Sequence, residues 1–166
     1  MKYQKIHIVG GPGAGKTSLA KAYSERSGIR YSEIDELFWT DVGGRSKRPD
    51  DERAKLLQIA IDSERWIIEG VFYRWLAPSF ESAEKIIVLN IPKWVRCYRI
   101  LQRSLPVLIS DPSSYRTTIA NLLEIIVFNH SYERIHFVPT LKMLERFGDK
   151  VVICNSNKEA MRELNM

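Results

Sequence analysis

Gly10-Gly11-Pro12-Gly13-Ala14-Gly15-Lys16-Thr17 is the stretch of this chain whose residue types and spacing are best suited to chemistry. A glycine, four residues, then Gly-Lys-Thr lies between the apolar run Ile6-His7-Ile8-Val9 and a helical pattern opening at Ser18. That is the phosphate-binding loop pattern in its required context of strand, turn and helix. Glycines let successive backbone N–H groups curl around an anion, and the helix that follows adds the positive end of its dipole. The nucleotide-binding set is therefore Gly10, Gly11, Pro12, Gly13, Ala14, Gly15, Lys16, Thr17 and Ser18. In such a loop the lysine reaches the β- and γ-phosphates and the hydroxyl ligates Mg²⁺. Lys16 is read as catalytic, Thr17 as a metal ligand, and ATP and Mg²⁺ as the cofactors.

Other residues have the chemistry to complete such a site, each with a plainer alternative. Glu69, at the end of the apolar run Trp66-Ile67-Ile68, suits a carboxylate that holds Mg²⁺ through water, or one that is simply solvated. Gly70 after it favours the metal reading by leaving room for a ligand. Asp35 is either a group near the transferring phosphate, accepting the acceptor's proton or ordering Mg²⁺ through water, or a helix N-cap. Phe38 and Trp39 suit stacking on an acceptor ring or packing in the core. Arg74 has the fork to clamp an anionic group on the acceptor, or sits on the surface. Arg96, Arg99 and Arg103 share one helix face, as cations over a transferring phosphate or as a solvated surface. Asn155-Ser156-Asn157 is an adenine-side turn or a polar turn. His7, His130 and His136 share no ligand spacing, so no histidine metal site is expected.

The elements that must position these residues alternate. Strands are expected at about Lys5–Val9, Ile29–Ile34, Trp66–Gly70, Lys85–Asn90 and Lys150–Cys154. Helices are expected at about Gly15–Ser27, from Asp50 through Ile61, at Pro92–Leu105, from Asp111 through His130, at Pro139–Phe147 and at Lys158–Leu164. On the Pro92–Leu105 helix, Trp94, Tyr98, Leu101 and Leu105 form an apolar stripe, and Pro106 closes the segment. Strands alternating with helices imply a parallel sheet covered on both faces.

Together these features resemble the P-loop kinases related to adenylate kinase, and within them the bacterial topology modulation proteins, or adenylate-kinase-related kinases. The resemblance rests on Gly10–Thr17, on Ile34-Asp35-Glu36-Leu37-Phe38-Trp39, on Trp66–Gly70, and on Leu89-Asn90-Ile91-Pro92 followed by Arg96, Arg99 and Arg103. It covers roughly the first two-thirds of the chain. It implies a three-layer α/β P-loop fold of nucleoside/shikimate kinase type. That fold has a five-stranded parallel sheet of order 2-3-1-4-5 and a helical lid. It further implies one domain over residues 1–166, with an acceptor-binding segment at about 35–65 and a lid at about 104–136. Under the resemblance Asp35, Arg99 and Arg103 join Lys16 as catalytic, and Asp35, Phe38, Trp39 and Arg74 bind the acceptor. Thr17 and Glu69 hold the metal. Glu69 departs from the aspartate usual in that group. The lid region also departs, since it offers only Arg116 and Arg134 among mainly apolar residues.

Composition narrows the classes of function. A chain of 166 residues with 45% hydrophobic residues is long enough to bury a core as one domain. The net charge of +5 suits a polyphosphate ligand, and the basic residues are dispersed apart from Arg45-Ser46-Lys47-Arg48, so nucleic acid is not an expected partner. The two cysteines, Cys97 and Cys154, lack metal spacing, and a reduced cytoplasmic protein without a membrane segment is expected. The apolar segment 119–138 reads as a hydrophobic lid or a homodimer surface. The expectation is an ATP-dependent kinase acting on a small acceptor, a nucleoside monophosphate or a hydroxyl metabolite. The alternative is an ATP-binding regulatory or nucleic-acid-associated P-loop protein, weak in hydrolysis and without a small-molecule acceptor.

Overall fold

Four apolar strand segments and one mixed one line up in parallel in the computed structural model, which describes residues 2–40, 46–71, 74–110 and 115–165. At residues 74, 107–110 and 115–118 only the backbone is described. The strands are β1 (Lys5–Gly10), β2 (Tyr31–Glu33), β3 (Trp66–Gly70), β4 (Lys85–Leu89) and β5 (Val151–Cys154), in the order β2-β3-β1-β4-β5. β1 lies at the centre, pairing Val9 with Gly70 of β3 and with Val88 of β4. The α/β fold and strand order expected from the sequence are those observed.

The period of two along each strand divides the core into two layers. Ile6, Ile8, Ile67, Ile87 and Leu89 face one side, with Leu19, Ala20 and Tyr23 of helix α1 (Lys16–Ser27) and Ala160 and Leu164 of α8 (Asn157–Asn165). Val9, Ile68, Ile86 and Val88 face the other. They meet Ile34 of α2 (Ile34–Phe38), Leu57 and Ile61 of α3 (Asp50–Asp62), Phe80 of α4 (Ala77–Ser82) and Leu144 of α7 (Val138–Leu144). Helix α5 (Lys93–Ser110) runs back from β4, and α6 (Tyr115–Tyr132) packs along it before a π-helical turn at Glu133–Phe137.

Several local expectations are corrected. The second strand is only three residues long, because Ile34 turns into the core as the first residue of α2. The helix after Pro92 continues through Pro106, which loses one hydrogen-bond donor without ending it. The opening of the next helix at Asp111 falls outside the described residues. The stripe Trp94, Tyr98, Leu101 and Leu105 is on the surface, with Trp94 75% exposed. The opposite face is turned inward, burying Arg96 and Ile100. Spacing shows that a helix has two faces; which one is covered depends on what lies beneath, here the P-loop and α6. Among the described residues no helix is long and apolar enough to cross a membrane.

Candidate functional site

The P-loop leaves β1 at Gly10 and enters α1 at Lys16, and its curvature depends on Gly13 and Gly15, at φ of 73° and 92°. These left-handed values are ones that side-chain-bearing residues seldom adopt. Gly13 is also pressed from behind, since a Cβ there would lie 2.6 Å from the backbone oxygen of Arg96. The loop is closed by the Ala14 amide donating to Gly11 O at 3.1 Å.

Lys16 donates from Nζ to Gly11 O at 3.3 Å and lies 3.9 Å from Glu69 Oε2. The Thr17 hydroxyl donates to Glu69 Oε1 at 2.5 Å. Glu69 is buried as the penultimate residue of β3, beside the loop because β3 pairs with β1. Burial pushes the Glu69 carboxyl up, opposed by Lys16 and by the Thr17 hydrogen bond. Burial lowers the Lys16 ammonium, opposed by Glu69, Asp35 and Glu33. Each charge in this cluster is costly by itself and is supported by its opposite.

A cleft of about 820 Å³ opens above the loop. Lys16, Thr17 and Ser18 meet there with Glu33, Asp35, Phe38 and Trp39 from the β2–α2 side and with Glu69 of β3. Arg99, Ile100 and Arg103 of α5 and Ile125 and Phe128 of α6 form the opposite wall. Arg99 Nη1 donates to Ala14 O at 3.2 Å and Gly13 O at 3.4 Å, so the α5 cation is seated on the P-loop itself. Arg103, one turn further on, is exposed to the cleft and near enough to act on both Lys16 and Glu33.

Asp35 lies in the first turn of α2, where the preceding Glu33 is the N-cap and makes no side-chain capping bond. The capping alternative for Asp35 is thus removed, and its carboxylate opens into the cleft. Surrounding protein raises it above the usual carboxylate range, with Lys16 opposing. Gly70 does not leave room for a ligand, as the sequence suggests. A Cβ there would lie 2.5 Å from Ile34 Cβ, so the glycine admits α2 close against β3. Phe38 is largely core, with Arg53 4.6 Å from its ring centroid and Trp39 edge-on at 4.7 Å. Trp39 is half-buried and reaches the cleft, held by an antiparallel bridge to Lys47. Arg74 begins a 3-10 turn, but its side chain lies outside the described residues, as do all atoms of Tyr73.

Other residues enter that the sequence reading left out or left open. Glu33 lines the cleft opposite Glu69 in the β2–β3 register. Its spacing of two from Asp35 was the available signal, obscured because β2 ends between them. Arg96, left open, is 2% exposed and lies behind the loop, bonded to Glu133 at 2.9 Å. Asn157 is a brace for the loop, its Nδ2 donating to Gly15 O at 2.9 Å. Asn155 closes its own turn, its amide donating to Glu159.

Comparison with known proteins agrees with this arrangement. A family model described as an AAA domain (AAA_18) matches residues 6–109. The Bacillus subtilis (strain 168) protein called uncharacterized protein YqaC is 31% identical over 101 residues, 60% of this chain and 56% of that protein. The match thus spans little more than half of that relative. The crystal structure of shikimate kinase from Bacteroides thetaiotaomicron superposes with a TM-score of 0.50 at 19% identity, covering 92% of this chain and 86% of that one. At this identity the likeness is one of fold. The family match runs from the second residue of β1 through the P-loop, the acids after β2 and on β3, and nearly all of α5, and on that ground the chain belongs to the AAA domain family, as a P-loop protein of kinase-like fold.

Proposed function

We propose that the chain is an ATP-dependent kinase that transfers the γ-phosphoryl group to a hydroxyl of a small acceptor. The observation that carries this reading is the meeting of Lys16, Asp35 and Arg103, from three different elements, in one cleft. A fold shared with a protein named as a kinase supports it. The finer resemblance, to the topology modulation group, belongs to the same proposal.

The residues present fit Mg²⁺. Thr17 and Glu69 are hard oxygen donors already in contact with each other. A two-oxygen set suits an ion that completes its shell with water and phosphate oxygens. These two residues would hold it, and when bound it neutralises phosphate charge. The chain's own groups do the rest. The loop amides and Lys16 hold the phosphates, and α1 adds its N-terminal dipole. Arg99, anchored on the Gly13 and Ala14 carbonyls, and Arg103 face the charge that spreads over the transferred group. The acceptor oxygen forms a bond to the γ-phosphorus, and the bond from that phosphorus to the β,γ-bridging oxygen breaks, releasing ADP. The hydroxyl proton passes to Asp35 and then to solvent. Ile100, Ile125 and Phe128 cover the cleft with apolar surface, limiting competition from water.

The test is Asp35→Asn. Acceptor-stimulated ADP release is expected to fall by roughly 10²- to 10⁴-fold, with ATP affinity by calorimetry kept. The base works only when deprotonated, so wild-type kcat falls as pH drops through the raised Asp35 value, and the variant lacks that acidic limb. Wild-type turnover in Asp35→Asn would overturn the assignment.

A further inference from the structure

The strand order arranges the charges of the cleft. At the centre, β1 carries the loop, and outward from it come β3 with Glu69 and then β2 with Glu33, which leads into Asp35. The cations Arg99 and Arg103 come from α5, on the other wall, and Arg99 is fixed to the P-loop. Away from the phosphates the acceptor therefore meets two carboxylates, the half-buried ring of Trp39 and the apolar Ile125 and Phe128. Of the described cations lining the cleft, Lys47 is exposed on this side, with its ammonium 5.8 Å from the Phe38 ring centroid, and Arg103 reaches across from α5, near enough to act on Glu33.

Glu33 has no task in the phosphoryl-transfer scheme above. It holds no backbone N–H as a cap, and Glu69 lies between it and the P-loop in the strand order. A carboxylate in such a place accepts hydrogen bonds from neutral or cationic donors and repels anions. The aromatic and apolar walls favour a ring.

We infer that the acceptor is an uncharged or cationic ring compound bearing hydroxyl groups, of the nucleoside or amino-sugar class rather than a monophosphate, and that Glu33 selects it by accepting a hydrogen bond from a second hydroxyl or amine. This rests on the kinase reading. It separates the two acceptor classes that the sequence leaves open.

The experiment compares ADP release with matched pairs under saturating ATP and Mg²⁺. Adenosine, cytidine, thymidine and uridine are each set beside the 5′-monophosphate, and glucosamine beside glucosamine 6-phosphate. At least one neutral or cationic member is expected to exceed its phosphorylated partner in kcat/KM by roughly tenfold or more. With that acceptor, Glu33→Gln is expected to lower kcat/KM by about 10- to 100-fold, mainly through KM, since a charge-assisted hydrogen bond is lost while the shape is kept. Preference for the monophosphates would overturn the inference and leave the kinase reading standing. So would an unchanged kcat/KM in Glu33→Gln, or a loss of ATP affinity in it, which would assign Glu33 to the nucleotide. Failure of every compound to raise ADP release above the rate with water, while ATP still binds, would overturn both together.

Discussion

His7 shows how a single buried residue leaves a mark on the whole chain's stability. It stands on the central strand, fully buried, with its ring 4.3 Å from that of Phe80. The Ser79 hydroxyl donates to Leu76 O at 2.7 Å, so its oxygen is left to accept from His7 Nδ1–H at 3.0 Å. That selects the tautomer with a bare Nε2, the atom that has no partner. Burial depresses the ring from an ordinary 6.5 to about 3. The folded chain therefore keeps His7 neutral at pH values where the unfolded chain takes up a proton. The stabilisation is complete above pH 6.5 and is lost as pH falls from there toward about 3. The local slope approaches about 1.4 kcal/mol per pH unit. Urea titrations across that range are expected to show the slope in the wild type and a flatter profile in His7→Leu. Parallel profiles would mean that His7 takes up its proton in the folded state.

At the scale of elements, α2 and α5 matter most because they carry the acidic and the cationic walls of the cleft. Gly70 sets the first: its missing side chain is where Ile34 sits, so α2 rests directly on β3 with Asp35 one residue further along. Gly70→Ala is expected to cost about 1–3 kcal/mol by overpacking. It is also expected to lower acceptor-stimulated turnover more than ATP affinity, because the displaced element carries Asp35 and not the P-loop. Equal losses in both would contradict this division. α5 is oriented by its buried face, and two substitutions measure that orientation. Trp94→Gln, on the solvent side, is expected to change stability by less than about 0.5 kcal/mol. Ile100→Ala, on the covered side, is expected to cost about 2–5 kcal/mol. Thermal or denaturant melts giving the reverse ranking would show that the stripe and not the arginine face is the packed one.

Across the molecule, the P-loop is braced from behind as well as shaped by its own glycines. Arg96 lies under it, its guanidinium where a Gly11 side chain would be, 5.0 Å from the Tyr132 ring centroid and bonded to Glu133 on the π turn. Asn157 of α8 holds the Gly15 carbonyl from another side. β1, α5, the end of α6 and α8 thus meet at one loop. Glu133 is half exposed, so the ion pair contributes little by itself; the packing of a side chain that is 2% exposed carries most of the effect. Arg96→Ala is expected to cost about 2–4 kcal/mol and to weaken ATP binding. Arg96→Met, near it in volume, is expected to recover part of the stability. A melt of Arg96→Ala within about 0.5 kcal/mol of wild type would show that the brace is dispensable.

The amino-acid sequence by itself determined what is local. The P-loop was legible because Gly13 and Gly15 are needed at their backbone angles and Lys16-Thr17 at their spacing. β3, β4 and the end of α1 at Gly28 were legible because strand periodicity and a glycine stop act within a few residues. The strand order came from resemblance and not from spacing, since pairing across the sheet is a long-range property. Tertiary structure alone decided which face of α5 is covered, that Gly70 makes room for Ile34, and that Arg96 and Asn157 serve the loop. It also decided that Glu33 shares a cleft with Lys16. Each of these depends on contacts between residues tens of positions apart, and a side chain's neighbours at that separation are set by packing, which no local pattern encodes.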